Sequence, residues 1–259
     1  MKIGCLLSVR EKATRLPKKV LLDIAGQPLT TRLLQRLSMA NEIDQVILST
    51  SVHSDDSLLV DLASDAGFEA FQGSEDDKLE RYHENAIAFG LDAVVIVDGD
   101  DLLCFPEGID LVARRLREGV CDCVSMPGLP LGAACTGLTT SSLEKVLQLK
   151  DESDTEVWGG YFFGSGRFKA SQVEVENSLW RHPEVRLTLD YQEDYELLLA
   201  IFKEFDGRID FTSDELMDLL VNRKPELTKI NAKAQLRYEA HIANSAPVKF
   251  RENTPQSES

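Results

Sequence analysis

No apolar run in this sequence approaches the ~18 residues that a membrane-spanning helix requires. Residues 1–8 are mostly apolar, too short a stretch for a signal peptide, and lead directly into a basic loop. The five cysteines (Cys5, Cys104, Cys121, Cys123, Cys135) include no Cys-x-x-Cys pair. Such an odd, scattered set reads as reduced thiols and points to the cytoplasm. Cys121 and Cys123 would share one face of a strand, where core packing is expected ahead of metal binding. Bases are in deficit: 28 Lys and Arg against 44 Asp and Glu give a net charge of −16. That argues against the broad basic face of a nucleic-acid binder. The four histidines, His53, His83, His182 and His241, sit apart, so the sequence offers no Ser/His/Asp grouping for nucleophilic catalysis. Glycine is missing between Ser8 and Gly26, and Gly-x-x-x-x-Gly-Lys does not occur. The Rossmann fingerprint and the Walker loop are therefore both excluded there. Internal repeats and low-complexity tracts are also absent.

The 259 residues, 43% of them hydrophobic, suit one α/β domain with an ample core. Apolar residues alternate between two periods. Residues 2–7, 46–48, 69–71, 93–97 and 122–126 read as strands, and 93–97 has the β-branched continuity of a strand buried on both faces. Residues 29–39, 55–66, 77–89 and 106–117 read as helices, the last with Pro106 in its first turn. This alternation predicts a mostly parallel, doubly wound sheet. The pattern changes after Pro127, with a turn-rich break over 127–132. Further helices are expected at 141–149, 192–205, 213–220 and 225–242. The glycine- and aromatic-rich stretch 159–164 reads as a bent strand, its aromatics either entering the core or facing a partner. A polar tail begins at Asn244.

Three constellations could carry chemistry. Arg10, Lys12, Arg15, Lys18 and Lys19 fall within ten residues, where 28 bases spread evenly would place about one. Their loop follows the first strand, at the sheet edge where open α/β folds bind ligands. Its charge and donors suit a triphosphate. Asp98-Gly99-Asp100-Asp101 follows the buried strand 93–97, and carboxylates so placed suit a hard cation. Asp190 ends a second strand-like run and is a candidate to complete that site, although Asp is also a common helix cap.

The run Thr14-Arg15-Leu16-Pro17-Lys18-Lys19-Val20-Leu21-Leu22-Asp23-Ile24-Ala25-Gly26-Gln27-Pro28-Leu29 resembles the opening of the cytidylyltransferases, among them the 3-deoxy-manno-octulosonate and acylneuraminate enzymes. Gly73-Ser74-Glu75-Asp76-Asp77 with Leu79-Glu80-Arg81-Tyr82, and Arg186-Leu187-Thr188-Leu189-Asp190-Tyr191-Gln192-Glu193-Asp194, resemble the spore-coat polysaccharide branch. The likeness extends over about residues 1–235.

The resemblance implies a nucleotide-diphospho-sugar transferase-like fold and a Mg²⁺-dependent reaction. In it a sugar or sugar-acid oxygen attacks the α-phosphate of CTP and pyrophosphate leaves. It implies that Arg10 and Lys19 hold the triphosphate with help from Ser8 and Arg15. Asp100 and Asp190 would bind metal, and Asp77 and Arg81 would face the nucleotide or acceptor. Arg10, Lys19 and Asp100 would be the catalytic set. It further implies a single nucleotidyltransferase domain over 1–243, with an acceptor or dimerisation region at about 127–185, a flexible tail over 244–259 and a homodimer. The family loop's two glycines are Lys12 and Lys18 here, and extra acids stand at Asp98 and Asp101. Asp98-Gly99-Asp100 also satisfies the Asp-x-Asp motif of glycosyltransferases, so that class stays open. A sugar-1-phosphate nucleotidyltransferase and an inactive nucleotide-binding homologue stay open as well.

Overall fold

The computed structural model describes residues 1–12, 15–242 and 247–251. The first half of the chain runs β1 (Ile3–Ser8), β2 (Asp23–Ile24), β3 (Gln27–Pro28), α1 (Leu29–Leu37), β4 (Gln45–Ser51), α2 (Ser57–Asp65), β5 (Glu69–Gly73), α3 (Lys78–Ala88) and β6 (Ala93–Asp98). There follow α4 (Pro106–Arg117), β7 (Cys123–Ser125), β8 (Thr136–Thr139), α5 (Thr140–Leu149), α6 (Gly159–Phe162), β9 (Ala170–Gln172), α7 (Gln192–Glu204), α8 (Ser213–Asp218) and α9 (Ala232–Ile242).

Seven strands form the central sheet in the order β5-β4-β1-β6-β8-β7-β9. β5, β4, β1 and β6 are parallel, as expected, and β8 runs antiparallel to both β6 and β7. β1 and β6 are central because their side chains are apolar on both faces. Cys5, Leu7 and Val95 join the core under α1 and α4, while Leu6, Val94 and Ile96 join the core under α3 and α5. α1 turns Leu29, Leu33, Leu34 and Leu37 inward, the stripe that its period predicts. Arg36 on the same helix is fully buried, and its guanidinium donates to the carbonyls of Cys104, Ile209 and Phe211 at 2.8–3.2 Å. Burial pushes its pKa down to about 10. All five cysteines are buried and free, and Cys123 lies in the core beside Leu138.

Three local expectations are corrected. Residues 159–162 form a helical turn and no strand. Trp158, Tyr161, Phe162 and Phe168 are all at most 8% exposed: Trp158 packs edge-on against Tyr82 and Phe162, Phe162 is tilted against Phe168, and Tyr161 meets Phe250 edge-on. They fill core, so they present no aromatic face to a partner. The segment leading to Asp190 is no sheet strand: it makes one parallel bridge, Leu131 to Arg186, and Leu189 N–H donates to Asp100 O at 2.9 Å. The expected helix over 225–242 is split into a 3-10 turn at Pro225–Lys229 and then α9.

The flexible tail expected over 244–259 lies mostly outside the described residues. The described part, 247–251, runs beside the end of α5. Asp151 N–H donates to Lys249 O at 3.1 Å, Arg251 N–H donates to Leu149 O at 2.9 Å, and Phe250 packs edge-on against Tyr161.

Candidate active site

The carboxyl ends of β1 and β6 lie side by side, with Ser8 in register with Asp98. Gly99 N–H donates to Ser8 O at 2.8 Å. A Cβ on Gly99 would sit 2.6 Å from Cγ2 of Val9 and 3.2 Å from its Cα, so close approach of the two loops requires glycine. The basic loop after β1 and the acidic loop after β6 therefore leave the sheet together. They line a cavity of about 630 Å³.

Lys19 enters this cavity from a 3-10 turn, Lys19–Leu21, that follows Lys18 in the left-handed region at φ 55°. Its ammonium donates to Asp100 Oδ2 at 2.9 Å, to Leu189 O at 2.9 Å and to Asp190 Oδ1 at 3.4 Å. Burial works against that charge, but Asp100 and Asp190 outweigh it and raise the pKa. Asp190 is buried, and it also accepts from Arg15 at 2.5 Å and Arg186 at 3.0 Å. Burial alone would raise its carboxyl; Lys19, Arg15 and Arg186 hold it below the ordinary value.

A clamp behind Asp190 sets its position. Asp194, in the first turn of α7, accepts from Arg186 through both oxygens at 2.9 and 3.0 Å, from Asn231 at 2.8 Å, and from the backbone N–H groups of Asp190 and Tyr191. An acid at a helix N-terminus also meets the favourable end of the macrodipole. The sequence carried the signal for this clamp, Arg186 and Asp194 within one short motif, but not its purpose.

Two carboxylates from distant segments thus meet on one cation. Among the described residues no group of three or more His, Cys, Asp or Glu is arranged to hold a metal. One or two carboxylates completed by substrate phosphates and water are what Mg²⁺ requires, and the Lys19 ammonium marks a point where Asp100 and Asp190 already hold a positive charge. Asp98 and Asp101 add further acidity. Asp101 is pushed well up by burial and by the charges of Asp100 and Asp98, and Asp98 is raised by burial against the pull of Lys78. The residues present therefore fit a divalent cation at Asp100 and Asp190.

On the other wall, Arg10 donates to Glu75 O at 2.7 Å and to Glu156 Oε2 at 2.5 Å. Arg81 is fully buried; it donates to Ser74 O at 2.9 Å, and Ser8 Oγ accepts from Tyr82 at 2.6 Å. Ser8, Arg10, Arg15, Lys19, Arg81, Asp100 and Asp190 all line the cavity, whereas Asp77 does not. Asp77 is buried and caps α3, accepting from Glu80 N–H and the Thr155 hydroxyl while pairing with Lys150. Its place in the motif reflects helix capping. The residue after it, Lys78, carries no distinguishing pattern in the sequence, yet it reaches the cavity and meets Asp98 at 3.5 Å and Glu156 at 3.0 Å.

The fold is of the nucleotide-diphospho-sugar transferase type: a mostly parallel sheet with a basic loop after its first strand and acids after its central one. Over 88% of its length the chain superposes on 97% of a solved cytidylyltransferase from Leptospira borgpetersenii serovar Hardjo-bovis, with a TM-score of 0.80 and 24% identity. The family model for cytidylyltransferases matches residues 5–224, and the chain belongs to that family. It is 30% identical to an uncharacterized protein of Methanocaldococcus jannaschii over 90% of this chain and 95% of that one. It is 26% identical to the spore coat polysaccharide biosynthesis protein SpsF of Bacillus subtilis, over 85% of this chain and 94% of that one. Among the described residues no helix is long and apolar enough to cross a membrane.

Proposed function

We propose that the protein transfers CMP from CTP to a sugar or sugar acid, releasing pyrophosphate, in a Mg²⁺-dependent reaction that serves glycan or surface-polysaccharide synthesis. The observation that carries this reading is the convergence of Asp100 and Asp190 on Lys19, in a cavity also lined by Arg10 and Arg15. Membership of the cytidylyltransferase family supports CTP as the donor, and likeness to a spore coat polysaccharide protein supports a carbohydrate acceptor.

Arg10, Arg15 and Lys19 would bind the triphosphate and offset charge on the leaving pyrophosphate. Asp100 and Asp190 would hold Mg²⁺, which supplies Lewis-acid stabilisation of the α-phosphoryl oxygens. Ser8 and Arg81 would line the nucleoside side. Reaction by in-line displacement needs positioned charge and no protein nucleophile. That agrees with the lack of any Ser/His/Asp grouping. Buried thiols that form no disulfide agree with a cytoplasmic protein. The homodimer implied by the sequence likeness is retained as part of this reading, and sedimentation at micromolar concentration tests it.

Pyrophosphate release measured with four NTPs against a panel of acidic sugars tests the whole reading. Turnover with CTP and at least one acidic sugar supports it. Release with another NTP and a sugar 1-phosphate, or none with any pair, replaces it.

A further inference from the structure

Glu156 stands in the cavity as an anion already bound. Its Oε1 takes the Lys78 ammonium at 3.0 Å and its Oε2 takes the Arg10 guanidinium at 2.5 Å. Partial loss of solvent would raise this carboxyl, but Lys78, Arg10 and Arg81 outweigh it and hold it below its ordinary value. One carboxylate bridging two cations through separate oxygens occupies the geometry that two oxygens of a phosphate or of another carboxylate would use.

The cations are the more buried partners and the acid the more exposed one. Lys78 is only 12% exposed in its side chain and opens α3, an eleven-residue helix whose N-terminal dipole adds positive potential at the same place. Arg10 is held from behind by Glu75 O. Glu156, by contrast, is 54% exposed in its side chain and lies in residues 151–158, which form neither helix nor strand. Its neighbour Thr155 is anchored: the Thr155 hydroxyl accepts from Leu79 N–H and donates to Asp77. Rotation of the Glu156 side chain alone would therefore open the pair without moving the loop. With Glu156 withdrawn, Arg10 and Lys78 lose the acid that bridges them, and Lys78 keeps Asp98 at 3.5 Å.

We propose that Lys78 and Arg10 form a substrate anion subsite, for a phosphate or carboxylate group, and that Glu156 occupies it in the free protein and is displaced on binding. The proposal deepens the cytidylyltransferase reading and rests on it for the identity of the anion. Sequence pattern does not disclose the subsite, because Lys78 is one base among 28 and belongs to no cluster.

A side chain that fills a site lowers apparent affinity by the fraction of molecules in which the site is free. Glu156→Gln should thus bind inorganic pyrophosphate about five- to tenfold more tightly than wild type by calorimetry. Lys78→Met in the Glu156→Gln background should abolish the gain. Asp76→Asn removes a charge from the same rim, and its side chain is not paired with Arg10 or Lys78. It should move affinity much less. Glucuronate, titrated separately, distinguishes the source: tightening confined to pyrophosphate assigns the subsite to nucleotide phosphate, and tightening confined to glucuronate assigns it to the acceptor's acid group. Unchanged or weaker binding of both probes by Glu156→Gln overturns the proposal, as does an equal gain in Asp76→Asn. These titrations need no turnover, so the subsite stands or falls on them even if CMP transfer fails in the panel assay.

Discussion

Asp100 and Asp190 share one cation but are held unequally: the Lys19 ammonium lies 2.9 Å from the first and 3.4 Å from the second. Asp190 is 2% exposed and has Arg15 and Arg186 as further partners, while Asp100 is 24% exposed. The same Asp-to-Asn change therefore has different consequences at the two positions.

Asp100→Asn keeps shape and removes the more accessible charge. Turnover should fall roughly 100-fold or more while the melting temperature moves by less than about 2 °C. A pyrophosphate-release assay with a thermal melt checks both. Asp98 is the competitor. If Asp98→Asn abolishes release while Asp100→Asn leaves it near wild type, the cation sits two residues earlier, at the end of β6.

Asp190→Asn should cost stability as well as turnover, about 3 kcal/mol, because Arg15, Lys19 and Arg186 lose a buried counter-charge. The sign with pH follows from the lowered carboxyl. The native state binds fewer protons there than the unfolded chain, so the contribution is complete above the unfolded pKa of ~3.9 and fades as pH falls through the lower native value. The stability gap between wild type and variant, measured by urea unfolding, should be full at pH 7 and shrink below about pH 4. A constant gap down to about pH 2.5 would contradict the pairing.

Lys19→Ala and Arg10→Ala should each weaken CTP binding about tenfold, the loss of one charge-assisted phosphate contact. Lys19→Ala has a second effect that Arg10→Ala lacks. It removes a cation shared by Asp100 and Asp190, so divalent-ion affinity should rise even as nucleotide affinity falls. Calorimetry with CTP and with Mg²⁺ separately resolves the two.

Asp77→Ala should behave as a folding variant. It breaks a buried pair with Lys150 and removes the α3 cap, for a loss of about 3 kcal/mol or more. Among the molecules that remain folded, KM for CTP should stay within about twofold. A selective rise in KM at unchanged stability would return Asp77 to the nucleotide site.

What could be read from the chain depended on whether the cause was local. The buried continuity of residues 93–97 and the helical stripe Leu29, Leu33, Leu34 and Leu37 are local patterns, and both elements formed as expected. The loop bases and Asp100 were legible because they follow strands whose ends share a sheet edge. Residues 159–164 misled because alternating glycine and aromatics carry no period, and a single helical turn buries Tyr161 and Phe162 equally well. Asp190 was expected at a strand end, but it lies in an irregular segment: Arg186 bridges to distant Leu131, and nearby Asp194, itself held by Asn231, clamps the Asp190 backbone. Lys78 left no distinguishing pattern, and its surroundings follow from the fold. A lysine in the first turn of a helix opposes the macrodipole and calls for acids from elsewhere, here Asp98 and Glu156. Glu156 left none, since an acid in an acidic loop is what solvation alone would favour.

The glycine contact between Gly99 and Val9 gives the cavity one jaw that cannot flex. The basic loop and the acidic loop are joined at their roots by that contact and by the bond from Gly99 N–H to Ser8 O, so prising them apart would break both. Residues 151–158, which form neither helix nor strand, contribute Asp154, Glu156 and Val157 to another part of the lining. For re-engineering, that divides the labour: grafting a relative's 151–158 segment changes only the rim that carries Glu156, whereas exchanging the strand ends should disturb both loops at once.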